Sequence, residues 1–179
     1  FILYDVESLE NSFEGIEESY GWSLAFGQFS NTDSYFAIVE FVYPNTPAAE
    51  AGIKRGDIIV EISNSDITEN NYRELLNSKA INITMGVVIN DAISTGGLVE
   101  MTARVLHLNP VVFTNIIEEE GHKIGYLFYA QYIAEYNSSL DTAFQHFKDE
   151  QITDLVLDLR YNPGGGTNAA QHLCSSLDP

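Results

Sequence analysis

Residues 155–168 read LVLDLRYNPGGGTN. With Asp154 in front, segment 154–160 is apolar almost without alternation, the pattern of a strand buried on both faces of a parallel sheet. It stops at Arg160, passes Pro163, which cannot continue a ladder, and opens into Gly164, Gly165 and Gly166. Thr167 then begins TNAAQHLCSSL, which predicts a helix over 167–177. Bare backbone between a strand and a helix N-terminus lets a ligand approach N–H groups that the helix end makes more positive. Two chemistries use that arrangement. A phosphate cradle needs a Lys-Ser/Thr pair after the glycines, or the G-x-G-x-x-G spacing, whose sixth position here is Ala169. Neither is present. An oxyanion hole needs only N–H donors aimed at a carbonyl oxygen where charge develops, and the stretch fits it better.

Upstream, SSLDTAFQHFKDE predicts a helix over 138–150. Leu140, Phe144 and Phe147 fall on one face, and Ser138 with Asp141 has the spacing of a capping box. Before it, residues 111–133 give two strands split by an acidic turn at 118–121. Strand, helix, strand, loop and helix in that order open an α/β layer. A parallel sheet with one crossover leaves its far edge unpaired, so this unit is expected to be incomplete within the chain.

Pro110 marks a change of pattern, and the residues before it read differently. Strands are expected at 35–43, 58–62, 81–89 and 98–108, the last two joined by a Gly-rich turn at 94–97. A helix is expected over 68–78 with Thr68 as N-cap. PNTPAAEAGIKRGD (44–57) holds a short Ala-rich helical turn in which Gly52 caps the helix and Gly56 permits a tight turn. GWSLAF (21–26) reads as a Gly-led loop whose N–H groups form a nest for a carboxylate, with room for an extended peptide alongside. The expected organisation is a polar lead-in at 1–12, a first domain at 13–108 and a second at 109–179.

Composition narrows the function. Of 179 residues, 45% are hydrophobic and 19% charged, an ordinary globular balance. Eight basic against 26 acidic residues give a net charge of −18, which argues against nucleic acid and against docking on anionic lipid. Cys174 is the single cysteine, so no intrachain disulfide forms, and its apolar setting places it in the core. His107, His122, His146 and His172 lack metal-ligand spacing; neither a metal nor another cofactor is expected. The chain begins without Met and ends soon after the glycines, which suggests a piece of a longer protein.

Two motifs resemble known families. Pro47, Ala48, Ala51, Gly52, Gly56, Asp57 and the strand Ile58–Ile62 resemble a PDZ domain of the kind found in bacterial proteases. The resemblance implies a peptide groove formed by Gly21, Trp22, Ser23 and Leu24 with a helix face of Tyr72, Leu75 and Leu76. The stretch from Ile124 through Asp158, Leu159, Arg160, Asn162, Pro163, Gly164 and Gly165 resembles the start of the protease domain of C-terminal processing peptidases, also called tail-specific proteases. The fold so implied is a PDZ-like, partly open β-barrel with one or two helices (α+β), followed by the truncated start of an α/β protease domain.

That resemblance further implies a serine endopeptidase working through a Ser/Lys dyad, with Gly164 or Gly165 as oxyanion donor and a polypeptide captured through its C-terminus. Asp158 and Arg160 are expected to be structural. Lys54, Lys79, Lys123 and Lys148 all precede the glycines, and Ser175 and Ser176 fall within the last helix. The nucleophile and base are therefore expected beyond this chain, which by itself should be inactive. Family likeness also suggests the periplasm or cell envelope, with a lipid anchor as one option. The alternative is a PDZ-containing scaffold whose protease domain is degenerate.

Overall fold

The computed structural model describes residues 11, 14–30 and 32–177; the lead-in at 1–12 lies outside them apart from Asn11. The chain forms two compact units, Glu18–Leu106 and a second built from His107 onward together with the segment before Glu18. Strands β1 (Ile16–Ser19) and β8 (Arg104–His107) pair with each other where the chain enters and leaves the first unit.

In the first unit the order is β2 (Trp22–Gln28), β3 (Tyr35–Val42), helix α1 (Pro47–Glu50), β4 (Ile58–Ile62), β5 (Ser65–Asp66), helix α2 (Tyr72–Leu76), β6 (Ala80–Ile89) and β7 (Ala92–Thr102). The sheet is open and antiparallel, in the order β2-β3-β4-β6-β7, with β5 added beside β4. Its core collects Tyr20, Ala37, Val39, Ile59, Ile62, Ile67 and Ile83. Alternation along β3 explains the choice: Ala37 and Val39 turn inward while Ile38 between them stays 38% exposed.

Gly52 ends α1 in a Schellman motif. It lies at φ +79°, its N–H donates to the Ala49 carbonyl, and the Ile53 N–H donates to the Ala48 carbonyl, both at 3.0 Å. At the other end the Thr46 hydroxyl accepts the Ala49 N–H.

Three local expectations fail here for identifiable reasons. GWSLAF is a strand, not a loop: only Gly21 turns, and pairing with β3 begins at Trp22. The β6–β7 turn sits at Asn90 and Asp91, at φ 50° and 61°. Both residue types tolerate the positive φ that a two-residue hairpin turn demands, so Gly96 and Gly97 stay inside β7. Helix α2 is shorter than 68–78 because Asn71, not Thr68, stands at its N-cap, and the Asn71 Oδ1 accepts the Thr68 N–H at 2.8 Å.

The second unit holds β9 (Val111–Glu119), β10 (His122–Tyr129), helix α3 (Asn137–Asp149), β11 (Asp154–Asp158) and helix α4 (Thr167–Leu177). β10 is central, antiparallel to β9 and parallel to β11. Leu127 and Tyr129 pack with Leu140, Ala143, Phe147 and Leu173 in one core, with Phe144 at its margin. The opposite sheet face leaves Phe113, Ile117 and Val156 exposed. β11 is thus not buried on both faces as expected, since the helices of this unit cover one face and the strand lies at the sheet's edge.

The capping box at Ser138 does not form. A 3-10 turn at Ala134–Tyr136 runs straight into α3, so Ser138 is already helical and no side chain caps the helix. Cys174 is exposed rather than buried. On α4 the inward positions are Ala169 and Leu173, four apart, and the next residue faces away.

Candidate functional site

After β11 the chain forms a loop held by hydrogen bonds of the Asn162 side chain and of the glycines. The Asn162 Oδ1 accepts the Gly164 N–H at 2.8 Å, a turn closed across Pro163. The Asn162 Nδ2 donates to the Tyr129 carbonyl at the end of β10, at 3.1 Å. The Tyr132 N–H donates to the Gly164 carbonyl at 3.0 Å, and the Gly166 N–H donates to the Tyr132 carbonyl at 2.8 Å. The last two bonds make a parallel bridge between Tyr132 and Gly165. In such a ladder the middle residue's own N–H and C=O point away from the partner strand.

This arrangement sorts the three glycines. The N–H groups of Gly164 and Gly166 are engaged; that of Gly165 points away from Tyr132 and has no partner among the described residues. Gly164 and Gly165 sit at φ +113° and +137°, open to glycine but strained for other residues. A Cβ on Gly165 would lie 2.3 Å from the Tyr132 carbonyl oxygen, whereas one on Gly164 would meet nothing within 4 Å. Gly165 and Gly166 border a cavity of about 570 Å³, also lined by Gln131, Tyr132, Glu135 and Asn168.

The strand end behind the loop is fixed by charge. Asp158 is only 7% exposed and receives the Arg160 Nε at 2.9 and 3.0 Å and the Arg160 backbone N–H at 3.1 Å. The Tyr126 hydroxyl donates to the same carboxylate. The Arg160 guanidinium, and after it the Tyr126 hydroxyl, hold the Asp158 carboxyl well below the usual carboxylate range against the opposing effect of burial. Bonding to Asp158 in turn pushes the Tyr126 hydroxyl up. These groups bond one another and anchor the point where β11 gives way to the loop. Among the described residues no group of three or more His, Cys, Asp or Glu side chains could hold a metal ion.

The expected peptide groove is built on β2, whose far edge pairs with no strand among the described residues. Trp22 and Leu24 of β2 and Tyr72, Leu75 and Leu76 of α2 all pack, half-buried, against the same core. The structure sets these five around one core. Ser23 alternates away, and its hydroxyl donates to the Glu40 Oε2 at 2.7 Å.

Gly21 is in place for a different reason from the one anticipated. Its N–H donates to the Ser19 Oγ at 3.2 Å, and a Cβ there would lie 2.3 Å from the Thr46 side chain. Phe26, Tyr35 and Ile67 were not anticipated. With Tyr72 they line an apolar cavity of about 240 Å³, and the Phe26 and Tyr72 rings are 5.4 Å apart. Alternation of Trp22, Leu24 and Phe26 was the available signal.

Residues 38–84 match the family model for the PDZ domain, and residues 123–179 match that for peptidase family S41. A carboxyl-terminal-processing protease of a Picosynechococcus species is 28% identical over 128 residues, covering 68% of this chain and 30% of that protein. The carboxy-terminal processing protease CtpB of Bacillus subtilis is 22% identical over 174 residues, covering 93% and 33%. The chain therefore spans about a third of the length of these curated relatives. A crystal structure described as an S41 protease from Bacteroides fragilis superposes with a TM-score of 0.73 at 33% identity, covering 95% of this chain and 49% of that one. The photosystem II D1 C-terminal processing protease shares the fold, with a TM-score of 0.58 at 20% identity over 90% of this chain and 44% of that one.

Proposed function

From the chain's resemblance to the C-terminal processing peptidases, a PDZ domain followed by the start of an S41 peptidase domain, we propose that it is the substrate-capturing and oxyanion-forming part of a serine endopeptidase. A polypeptide end adds as a strand along the free edge of β2, with its side chains against Trp22, Leu24, Phe26 and Tyr72. Main-chain pairing supplies affinity and the apolar wall supplies selection. In the peptidase unit a serine hydroxyl attacks the scissile carbonyl carbon and passes its proton to a lysine amine. Both groups belong to the remainder of the protein. As the carbonyl becomes tetrahedral its oxygen takes on negative charge, and the Gly165 N–H donates to it.

The observation that carries this reading is the geometry of Gly165. It is the middle residue of a parallel bridge, its N–H turned away from Tyr132, with both neighbouring glycine N–H groups engaged. A turn that served only to enter α4 would not need this unpaired donor beside a cavity.

The longer protein that contains this chain should cleave polypeptides bearing an apolar C-terminus, and residues 1–179 alone should cleave nothing. Steady-state assays of both on one peptide test this. Turnover by the 179-residue chain that survives Ser175→Ala with Ser176→Ala would refute the placement of the nucleophile. A longer protein that binds the peptide without cutting it is the scaffold instead.

A further inference from the structure

We propose that the Asn162 side-chain amide is the positioning group that makes Gly165, and not Gly164, the free donor of the glycine loop. The inference rests on the oxyanion reading above and adds to it the residue that selects the donor. An asparagine amide offers one acceptor oxygen and two donor hydrogens, and here it works from both ends. Its oxygen takes the Gly164 N–H at 2.8 Å; its nitrogen gives a hydrogen bond to the Tyr129 carbonyl at 3.1 Å. Pro163 between them has a fixed φ and no N–H, so the Asx turn has one donor available and takes it from Gly164.

Tyr129 and Tyr132 lie three residues apart on the segment that leaves β10, and both hold the loop: Tyr129 through Asn162, Tyr132 through Gly164 and Gly166. Gly165 is straddled by the two Tyr132 bonds, and the Tyr129 attachment holds the loop just before them. Without the amide, the Gly164 N–H is released and the attachment to Tyr129 is lost, so the Tyr132 bridge alone is left to aim the Gly165 N–H. Asn162 touches no reacting atom in this account. It acts through Gly164 and the loop.

The replacements separate the roles. Alanine removes both bonds. Serine keeps an uncharged acceptor that can still close a turn with the Gly164 N–H, though more weakly, and cannot reach Tyr129. The first measurement needs no activity: amide exchange of the 179-residue chain followed by ¹⁵N NMR. Gly164 and Gly166 should be protected and Gly165 should exchange freely. Asn162→Ala should lower Gly164 protection at least about tenfold and leave Gly166 protected. Protection of Gly165 equal to that of Gly164, or Gly164 exchange unchanged in Asn162→Ala, overturns the proposal.

The second measurement uses the longer peptidase. Loss of a whole oxyanion donor costs about 10²–10³ in kcat. A misaimed one should cost about 10–100-fold, with KM unchanged, and Asn162→Ser should recover part of it. Unchanged kcat per folded molecule in Asn162→Ala overturns the positioning role. A wild-type protein that hydrolyses nothing overturns the peptidase reading instead, and the exchange result still decides what Asn162 does.

Discussion

Two glycine-led segments in this chain look alike on paper, and only one keeps its positive-φ glycine N–H free. Gly21 opens β2 and Gly165 sits before α4; both have positive φ, and at both a Cβ would collide at 2.3 Å. At Gly21 the collision is with the Thr46 side chain and the N–H is satisfied by Ser19. At Gly165 the collision is with the Tyr132 main chain and the N–H faces away from it. A glycine requirement therefore says that something passes close by. It does not say that the residue donates to a ligand. The donor is identified by what its neighbours leave unpaired.

The sharpest way to break this contrast is to add a methyl group at each glycine. Gly165→Ala should show the largest effect, because its Cβ meets a carbonyl oxygen that cannot swing aside. Backbone strain and overpacking together should cost about 2–4 kcal/mol, and kcat should fall in whatever folds. Gly164→Ala has open space and carries only the strain, about 1–3 kcal/mol. Melting curves and kcat for the two variants in the longer peptidase check the order. Equal melting temperatures would mean that the Tyr132–Gly165 bridge is not formed.

Gly21→Ala should come next, at about 1–3 kcal/mol from crowding against Thr46. Folded Gly21→Ala protein should nevertheless distinguish a peptide acid from its C-terminal amide as well as the unaltered chain does, because the Gly21 N–H is already occupied. Titrating both peptides by calorimetry tests this. Loss of the acid preference in the variant would return Gly21 to the carboxylate nest.

The smallest effect concerns the anchor behind the loop. The folded Asp158 carboxyl lies well below the unfolded value of about 3.9. The ionised pair with Arg160 thus contributes fully above about pH 4, and that contribution is lost as the pH falls further. Asp158→Asn should lower the melting temperature at pH 7, with the gap narrowing below about pH 4. A gap that stayed constant on acidification would show that ionisation of Asp158 is not what stabilises the strand end.

The same contrast marks what could be read without coordinates. β4 over Ile58–Ile62, the helix from Thr167 and the turn before His122 follow from the local sequence pattern within a few residues. So does the Gly52 cap. Where local signals competed, the expectations slipped. Asn71 displaced Thr68 at a helix start, Asn90 and Asp91 took the turn from Gly96 and Gly97, and a 3-10 turn moved the start of α3 ahead of Ser138. The choice between Gly164 and Gly165 needed more than the local Asn162–Gly164 turn. It depends on Tyr129 and Tyr132, some thirty residues upstream, whose carbonyls and N–H reach the loop only after β10 and β11 have paired.

The claim that these contacts leave Gly165 as the donor can be tested on one tetrahedral adduct. A crystal structure of the longer peptidase with a peptidyl boronate bound to its nucleophile would place an oxygen where the oxyanion forms. The account predicts that oxygen 2.7–3.1 Å from the Gly165 nitrogen, the range expected of an oxyanion donor, with the Gly164 N–H still bonded to Asn162. An adduct oxygen bound by the Gly164 N–H, or by neither glycine, would contradict it.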